Sequence, residues 1–238
     1  MRMRLDKFLS AQGLSRKQAR AAIASGQVSV NGEVQGDPGF ILDPISAQVL
    51  FQGRALGYQR HMHLMLHKPA GLLTATTDAR QKTVMDLLPE ELKRRALGPV
   101  GRLDKDVTGL LLLTDDGQLA HRLISPKWTV EKVYLARVEG ALDATDIQAF
   151  QEGIALSDFT ARPARLEILE PDLGRLTITE GKFHQVKRMF AARGKPVLRL
   201  HRESVGGVSL DPALECGKFR PLTAEEEGAL YALVRMER

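Results

Sequence analysis

Cysteine is almost absent from this chain. Cys216 stands alone, so neither an intrachain disulfide nor a cysteine-built metal cage can form, which suits a reducing compartment. Long apolar runs are missing as well, since no stretch approaches the roughly 18 residues of a membrane span. The opening MRMRLDKFLSAQG places charges where a signal peptide needs its apolar centre. A cytoplasmic protein with no membrane partner is therefore expected. There is no tandem repeat and no low-complexity tract. What the 238 residues do contain is 43% hydrophobic side chains, enough for one large or two modest domains.

The charge is modest in total and uneven in distribution. Residues 1–25 hold Arg2, Arg4, Lys7, Arg16, Lys17 and Arg20 against Asp6 alone, which accounts for the whole formal excess of +5. Such concentration is the electrostatic footprint of a polyanion-binding surface, although a solvated helix face gives the same pattern. Ser15 and Gln18 have the spacing of a capping box, which predicts a helix to about Ser25. On it Arg16, Lys17 and Arg20 share one arc, while Ala19, Ala22 and Ile23 share the next. Val28 to Val30 then alternate into Asn31-Gly32, a strong hairpin signal, and residues 49–51 read as another strand. Hydrophobic periodicity lapses between 53 and 60, where a linker is expected, giving domains at 1–57 and 61–238.

Beyond that point short strands and helices alternate without a regular βαβ rhythm, so the fold class is α+β with a mixed, largely antiparallel sheet. Strands are expected at 64–66, 110–114, 132–138, 164–169, 175–179 and 197–201. Helices are expected at 84–88, 119–124, 144–153, 184–193 and 224–236, the last capped by Thr223 with Glu226.

Three places in this second part have the residue types for chemistry. In GRLDKDVTGLLLLTDDG, residues 101–117, Asp104 precedes a turn and a buried leucine strand. Arg102, two residues away, either pairs with that carboxylate or reaches outward to phosphate. In the strand from Lys132, alternation puts Lys132 and Tyr134 on one face, and a tyrosine facing a cleft can stack on a base. A core tyrosine has the same spacing. In EGKFHQVKRMF, residues 180–190, Val186, Met189 and Phe190 form a buried stripe with Lys187 and Arg188 on its flanks. Lys187 at a helix start could meet Asp104 and keep it ionised and oriented.

Taken in order, these segments resemble two known families. RLDKFLSAQGLSRKQARAAIASGQVSVNGEVQ resembles the small RNA-binding module named after ribosomal protein S4, in which two helices present basic residues beside a hairpin. GRLDKDVTGLLLLTDDG, EKVYLARV and EGKFHQVKRMF resemble the three motifs of the pseudouridine synthases. LHRESVGGVSLD, residues 200–211, looks most like the branch acting on small-subunit 16S ribosomal RNA, though the large-subunit branches share the core motifs.

The resemblance implies that Asp104 is the catalytic aspartate, Tyr134 the base-stacking residue and proton acceptor, and Lys187 the partner of Asp104. Arg102, Arg188 and Lys132 would hold the substrate, with Arg4, Lys7, Arg16, Lys17 and Arg20 binding RNA. It further implies a monomer that needs no cofactor and whose partner is small-subunit ribosomal RNA or an assembling small subunit.

Two rivals deserve a place beside this reading. Asp104, Asp106 and Thr108 spell the DxDxT of haloacid-dehalogenase-type phosphatases, but there the apolar strand comes before the motif, and here it comes after. A non-enzymatic RNA-binding protein would have no use for Asp104, Tyr134 and Lys187 together. His61, His63 and His67 have no acid at ligand spacing, so no metal site is expected.

Overall fold

The computed structural model describes residues 2–58 and 60–237. They form two compact units, one running to Met62 with Leu88–Ala96 added, the other comprising His63–Leu87 and the chain from Leu97 onward.

In the first unit, β1 (Met3–Arg4) leads into α1 (Leu5–Ala11) and α2 (Arg16–Ala24). The Ser15–Gln18 capping box is present, with the Gln18 N–H donating to the Ser15 hydroxyl at 3.2 Å and the Ser15 N–H to the Gln18 side chain at 2.9 Å. Ala19, Ala22 and Ile23 are buried with Leu5, Phe8 and Leu9 from α1, while Arg16, Lys17 and Arg20 are exposed. Next come β2 (Val28–Val30), β3 (Glu33–Val34), β4 (Ile41–Leu42), β5 (Val49–Phe51) and β6 (Arg54–Leu56). β4 pairs with β1, and the other four form a sheet in the order β3-β2-β5-β6. Asn31 and Gly32 both take positive φ, as a two-residue hairpin turn requires.

The expected linker at 53–60 is corrected in part, because β6 lies inside it and pairs with β5 through the Gln52-Gly53 turn. Arg54 and Ala55 are exposed, so the strand is held by backbone bonds and leaves no hydrophobic period to read.

The second unit begins with β7 (His63–Lys68) and a 3₁₀ turn at Val84–Leu87. The short α3 (Glu90–Lys93) belongs to the first unit. The chain continues through β8 (Gly98–Pro99), β9 (Thr108–Thr114), α4 (Gly117–Ile124) and β10 (Lys132–Val138). Then follow α5 (Ala144–Glu152), β11 (Arg165–Glu170), β12 (Leu173–Ile178) and α6 (Gln185–Ala192). Last come β13 (Val197–Val205), β14 (Val208–Ser209), β15 (Phe219–Pro221) and α7 (Ala224–Leu233).

Nine strands make one sheet in the order β11-β12-β10-β13-β9-β7-β15, with β14 beside β13 and β8 beside β9. Every pairing is antiparallel except β9 with β13. The sheet is therefore mixed and largely antiparallel. Leu110 to Leu113 are buried without alternation, as in a strand covered on both faces; Leu110 and Leu112 join the core cluster that α4 and α7 cover.

A buried polar network pins α4 and α7 to the edge of β9. The Thr114 hydroxyl meets His63 Nδ1 at 2.8 Å and accepts the Asp116 N–H at 2.9 Å, while the Tyr231 hydroxyl donates to Asp116 at 2.7 Å. Asp116 also accepts the N–H groups of Gln118 and Leu119, capping α4. His63 is thus a structural residue, and no group of metal-ligating side chains occurs among the described residues.

The parallel pair needs one glycine. Gly109 has φ +110°, and a Cβ there would stand 2.3 Å from the Arg202 carbonyl oxygen and 2.5 Å from its nitrogen. Backbone cannot yield as a flexible side chain can, so Gly109→Ala should destabilise the protein by about 2–5 kcal/mol. Urea unfolding checks this, and a wild-type midpoint would contradict the close β9–β13 approach.

Candidate active site

Asp104 sits in a loop that is fastened before and after it. The Thr74 hydroxyl donates to the Leu103 carbonyl at 2.7 Å and accepts the Leu103 N–H at 3.2 Å. The Gly71 N–H donates to the Lys105 carbonyl at 2.7 Å, and the Val107 N–H closes a turn onto the Asp104 carbonyl at 3.1 Å. Beneath the loop lies Lys68, 0% exposed. Its ammonium donates to the carbonyls of Pro69, Lys105 and Val107 at 3.0, 3.2 and 2.9 Å. Burial pulls its pKa down to about 8, and the opposing pull of Asp106 and Asp104 does not restore it.

A cavity of about 110 Å³ opens over this loop, lined by residues from the loop, β10, α6 and β13. Asp104, Arg102, Tyr134, Lys132 and Lys187 all border it. The Lys187 ammonium, from the first turn of α6, is 3.2 Å from Asp104 Oδ2 and donates to both oxygens of Asp106 at 2.7 and 2.9 Å. Burial alone would depress its pKa, but the hydrogen bonds to Asp106 and Asp104 outweigh that and raise it. The same contact holds the Asp106 carboxyl below the usual range. Lys187 is therefore charged at neutral pH and presents its ammonium to both carboxylates.

Tyr134 is 7% exposed and lies one strand from β9, because β10 pairs with β13 and β13 with β9. Lys132 shares its face, as alternation requires. Its ammonium donates to the Val130 carbonyl at 3.0 Å, and burial together with Arg202 lowers its pKa to about 8.

Of the two alternatives open for Arg102, pairing with Asp104 is not found; Arg102 is exposed at the cavity wall with no ionic partner among the described residues. Arg188 is turned away from the cavity, hydrogen-bonded to Asp158 and packed over the Phe159 ring at 5.3 Å. Of the two adjacent cations on α6, it is Lys187 that meets the loop. Among the amino-terminal cations, Arg4 pairs with Asp6 at 2.9 Å and Arg20 approaches the same carboxylate at 3.7 Å. Lys7, Arg16 and Lys17 remain exposed without an ionic partner among the described residues.

Two residues escaped the sequence reading. His184, expected as the first helical residue, instead precedes α6 with φ 50° and ψ 28°, which brings its Nε2 to 3.5 Å from Asp104 Oδ1. Spacing gives no hint of this, since it depends on one residue in a left-handed conformation. Arg202 is 2% exposed; its Nε donates to the Leu110 carbonyl at 2.8 Å, and its Nη2 finds no partner among the described residues. The sequence holds no signal for it, because Arg199, His201 and Glu203 surround it in the same strand.

The phosphatase pattern fails on the same geometry. Asp104 and Asp106 lie before β9, which starts at Thr108, so the acids are not at the carboxyl end of an apolar strand.

Comparison with known proteins accords with this arrangement. Residues 62–192 match the model of the RNA pseudouridylate synthase family, and residues 3–45 match the S4 domain. The chain belongs to the RNA pseudouridylate synthases. It is 46% identical over 230 residues to an uncharacterized RNA pseudouridine synthase of Bacillus subtilis, covering 94% of this chain and 96% of that one. It is 44% identical to the ribosomal small subunit pseudouridine synthase A of Escherichia coli K12, covering 94% and 98%. A crystal structure of a pseudouridylate synthase superimposes with a TM-score of 0.69 at 40% identity, over 96% of this chain and 99% of the other. The enzyme is thus an isomerase of RNA uridines with an amino-terminal S4 domain, and no helix among its described residues is long and apolar enough to cross a membrane.

The role of Lys68 can be isolated by the nearly isosteric Lys68→Met. The carbonyls of Pro69 and Val107 lose this donor while that of Lys105 keeps the Gly71 N–H, and the expected loss is about 1–3 kcal/mol in chemical unfolding. In the fraction that remains folded, kcat should fall more than RNA affinity. Wild-type stability would show that these carbonyls find other donors.

Proposed function

We propose that this enzyme converts a specific uridine of small-subunit 16S ribosomal RNA to pseudouridine in the cytoplasm, acting as a monomer on the RNA or on an assembling subunit. The observation that carries the reading is the Asp104 carboxylate at the wall of the cavity that Tyr134 also lines, 3.2 Å from Lys187. The choice of small-subunit RNA follows the named E. coli relative.

In this reading Asp104 is the catalytic carboxylate. The target base lies in folded RNA and must be flipped out of its stack, at a cost of a few kcal/mol that backbone contacts and stacking offset. Once it is in the cavity, the bond from ribose C1′ to uracil N1 breaks, the base rotates, and C1′ joins C5. The proton on C5 leaves and N1 gains one, so the net change is an isomerisation. An ionised carboxylate beside the ribose supports charge developing at C1′, and the enclosed site keeps water from capturing the sugar. Lys187 holds Asp104 in position through the 3.2 Å contact. Tyr134 stacks on the uracil and receives the C5 proton directly or through a water it positions. Arg102 and Lys132 hold the target nucleotide's phosphates. Arg188, committed to Asp158 in the free protein, contributes only if that pair opens.

The basic surface of the S4 domain serves the rest of the RNA. Lys7, Arg16 and Lys17 are its ready cations, while Arg4 and Arg20 must first give up Asp6. Exposed pairs of this kind are worth little, and RNA phosphate is a competitive partner.

Two outcomes test this reading. Asp104→Asn should abolish pseudouridine formation in ribosomal RNA, mapped by chemical modification and primer extension, while RNA binding persists; isomerisation at the wild-type rate would remove Asp104 from its role. Replacing Arg16, Lys17 and Arg20 together by glutamine should weaken RNA binding and flatten the plot of log affinity against log salt by up to about two units, each lost phosphate contact contributing about 0.7. An unchanged slope would place the RNA elsewhere.

A further inference from the structure

Phe183 is the one exposed residue among the described phenylalanines, tyrosines and tryptophan, with 76% of its surface open. It stands next to the site without lining the cavity. Its ring is stacked on the His184 imidazole, with centroids 3.8 Å apart and planes 16° from parallel, and that imidazole is the one 3.5 Å from Asp104. One face of the phenyl ring is therefore covered by a residue of the site and the other is presented to solvent.

This placement is built into the backbone. The buried Glu180 carboxylate accepts the Arg162 N–H at 2.8 Å and the Gln185 side-chain amide at 2.7 Å. The other end of that amide accepts the Lys182 N–H at 2.9 Å. The loop is thus clipped on both sides of Phe183, and His184 is held at positive φ. An apolar ring held in water by a fastened loop, next to the left-handed His184 of the site, is a candidate contact for a ligand.

The surroundings favour a nucleic acid. Lys182, next to Phe183 in the chain, has its ammonium 3.6 Å from the Phe159 ring centroid and no ion-pair partner among the described residues. A flat exposed ring whose chain neighbour is a cation not paired with any acid can stack on a nucleobase while a phosphate is neutralised.

We infer that Phe183 is the stacking platform for the nucleobase adjoining the target uridine. This rests on the reading that Asp104 acts on a flipped uridine. The flipped base enters the cavity that Phe183 does not line, so the ring outside is left for its neighbour. Held there, the neighbour cannot close over the gap, and the open form of the RNA is favoured on the enzyme. The His184 imidazole backs the platform, linking the position of the flanking base to the wall of the site.

The test uses the full-length enzyme and a small-subunit ribosomal RNA transcript. Synthetic versions of the modified region carry an abasic nucleotide on the 5′ or the 3′ side of the target. Phe183→Ala should raise KM about 5- to 100-fold, the range seen when one stacked base loses its aromatic partner, with kcat within about three-fold. Phe183→Trp should stay near wild type. An abasic nucleotide on one of the two sides should raise the wild-type KM by a similar factor, and on that RNA Phe183→Ala should add nothing further. A general loosening of the loop would not produce that loss of additivity. A wild-type KM for Phe183→Ala, or effects that multiply on both abasic RNAs, would overturn the assignment of Phe183 alone. Failure of the wild-type enzyme to modify the intact transcript or the small subunit would overturn the functional reading and this inference with it.

Discussion

A lysine ammonium with no exposed surface holds the loop that carries Asp104. Lys68 is the last residue of β7, and its three hydrogen bonds gather the carbonyls of Pro69, Lys105 and Val107 around one cation. The loop directs these carbonyl oxygens toward the lysine, the one of Val107 in a buried bond and the one of Lys105 shared with the Gly71 N–H, and a buried carbonyl is costly to leave unpaired. A single donor with three protons reaches all three. The buried positive charge also lies below two carboxylates, so it offsets part of their mutual repulsion from the protein side while Lys187 does so from the cavity side.

The sheet order explains why residues far apart in sequence converge. β13 lies between β9 and β10, so the strand with Arg202 separates the strand that follows Asp104 from the strand with Tyr134. Arg202 spans part of that separation through the Leu110 carbonyl. It can do so only because Gly109 lets the two backbones approach closely. α6 then completes the wall, with Val186, Met189 and Phe190 buried and Lys187 directed at the loop.

Much of this was legible from residue order. The leucine run, the Asn-Gly hairpin, the capping boxes at Ser15 and Thr223 and the alternation of Lys132 with Tyr134 are local signals, and local interactions enforce them. The amphipathic stripe of α6 likewise fixed which residues would be buried. What stayed hidden depends on contacts between distant segments or on a single dihedral. β6 has no hydrophobic period because its neighbour supplies its bonds. Arg102 and Asp104 have the spacing of a pair, but the loop turns rather than extending, and the carboxylate goes to Lys187 instead. Arg188 finds Asp158 across 30 residues. His184 reaches Asp104 through a left-handed backbone that a helical reading of EGKFHQVKRMF cannot foresee.

The lysine at the cavity wall is shared unequally. Lys187 makes its shorter contacts with Asp106, while Asp104 stands slightly farther off. Asp106 therefore works as a mooring: the cation has a berth that does not depend on Asp104. In the proposed reaction, when a sugar or base draws the charge of Asp104 toward itself, the ammonium is not stranded and need not follow. One acid is free to change partners because the other never has to.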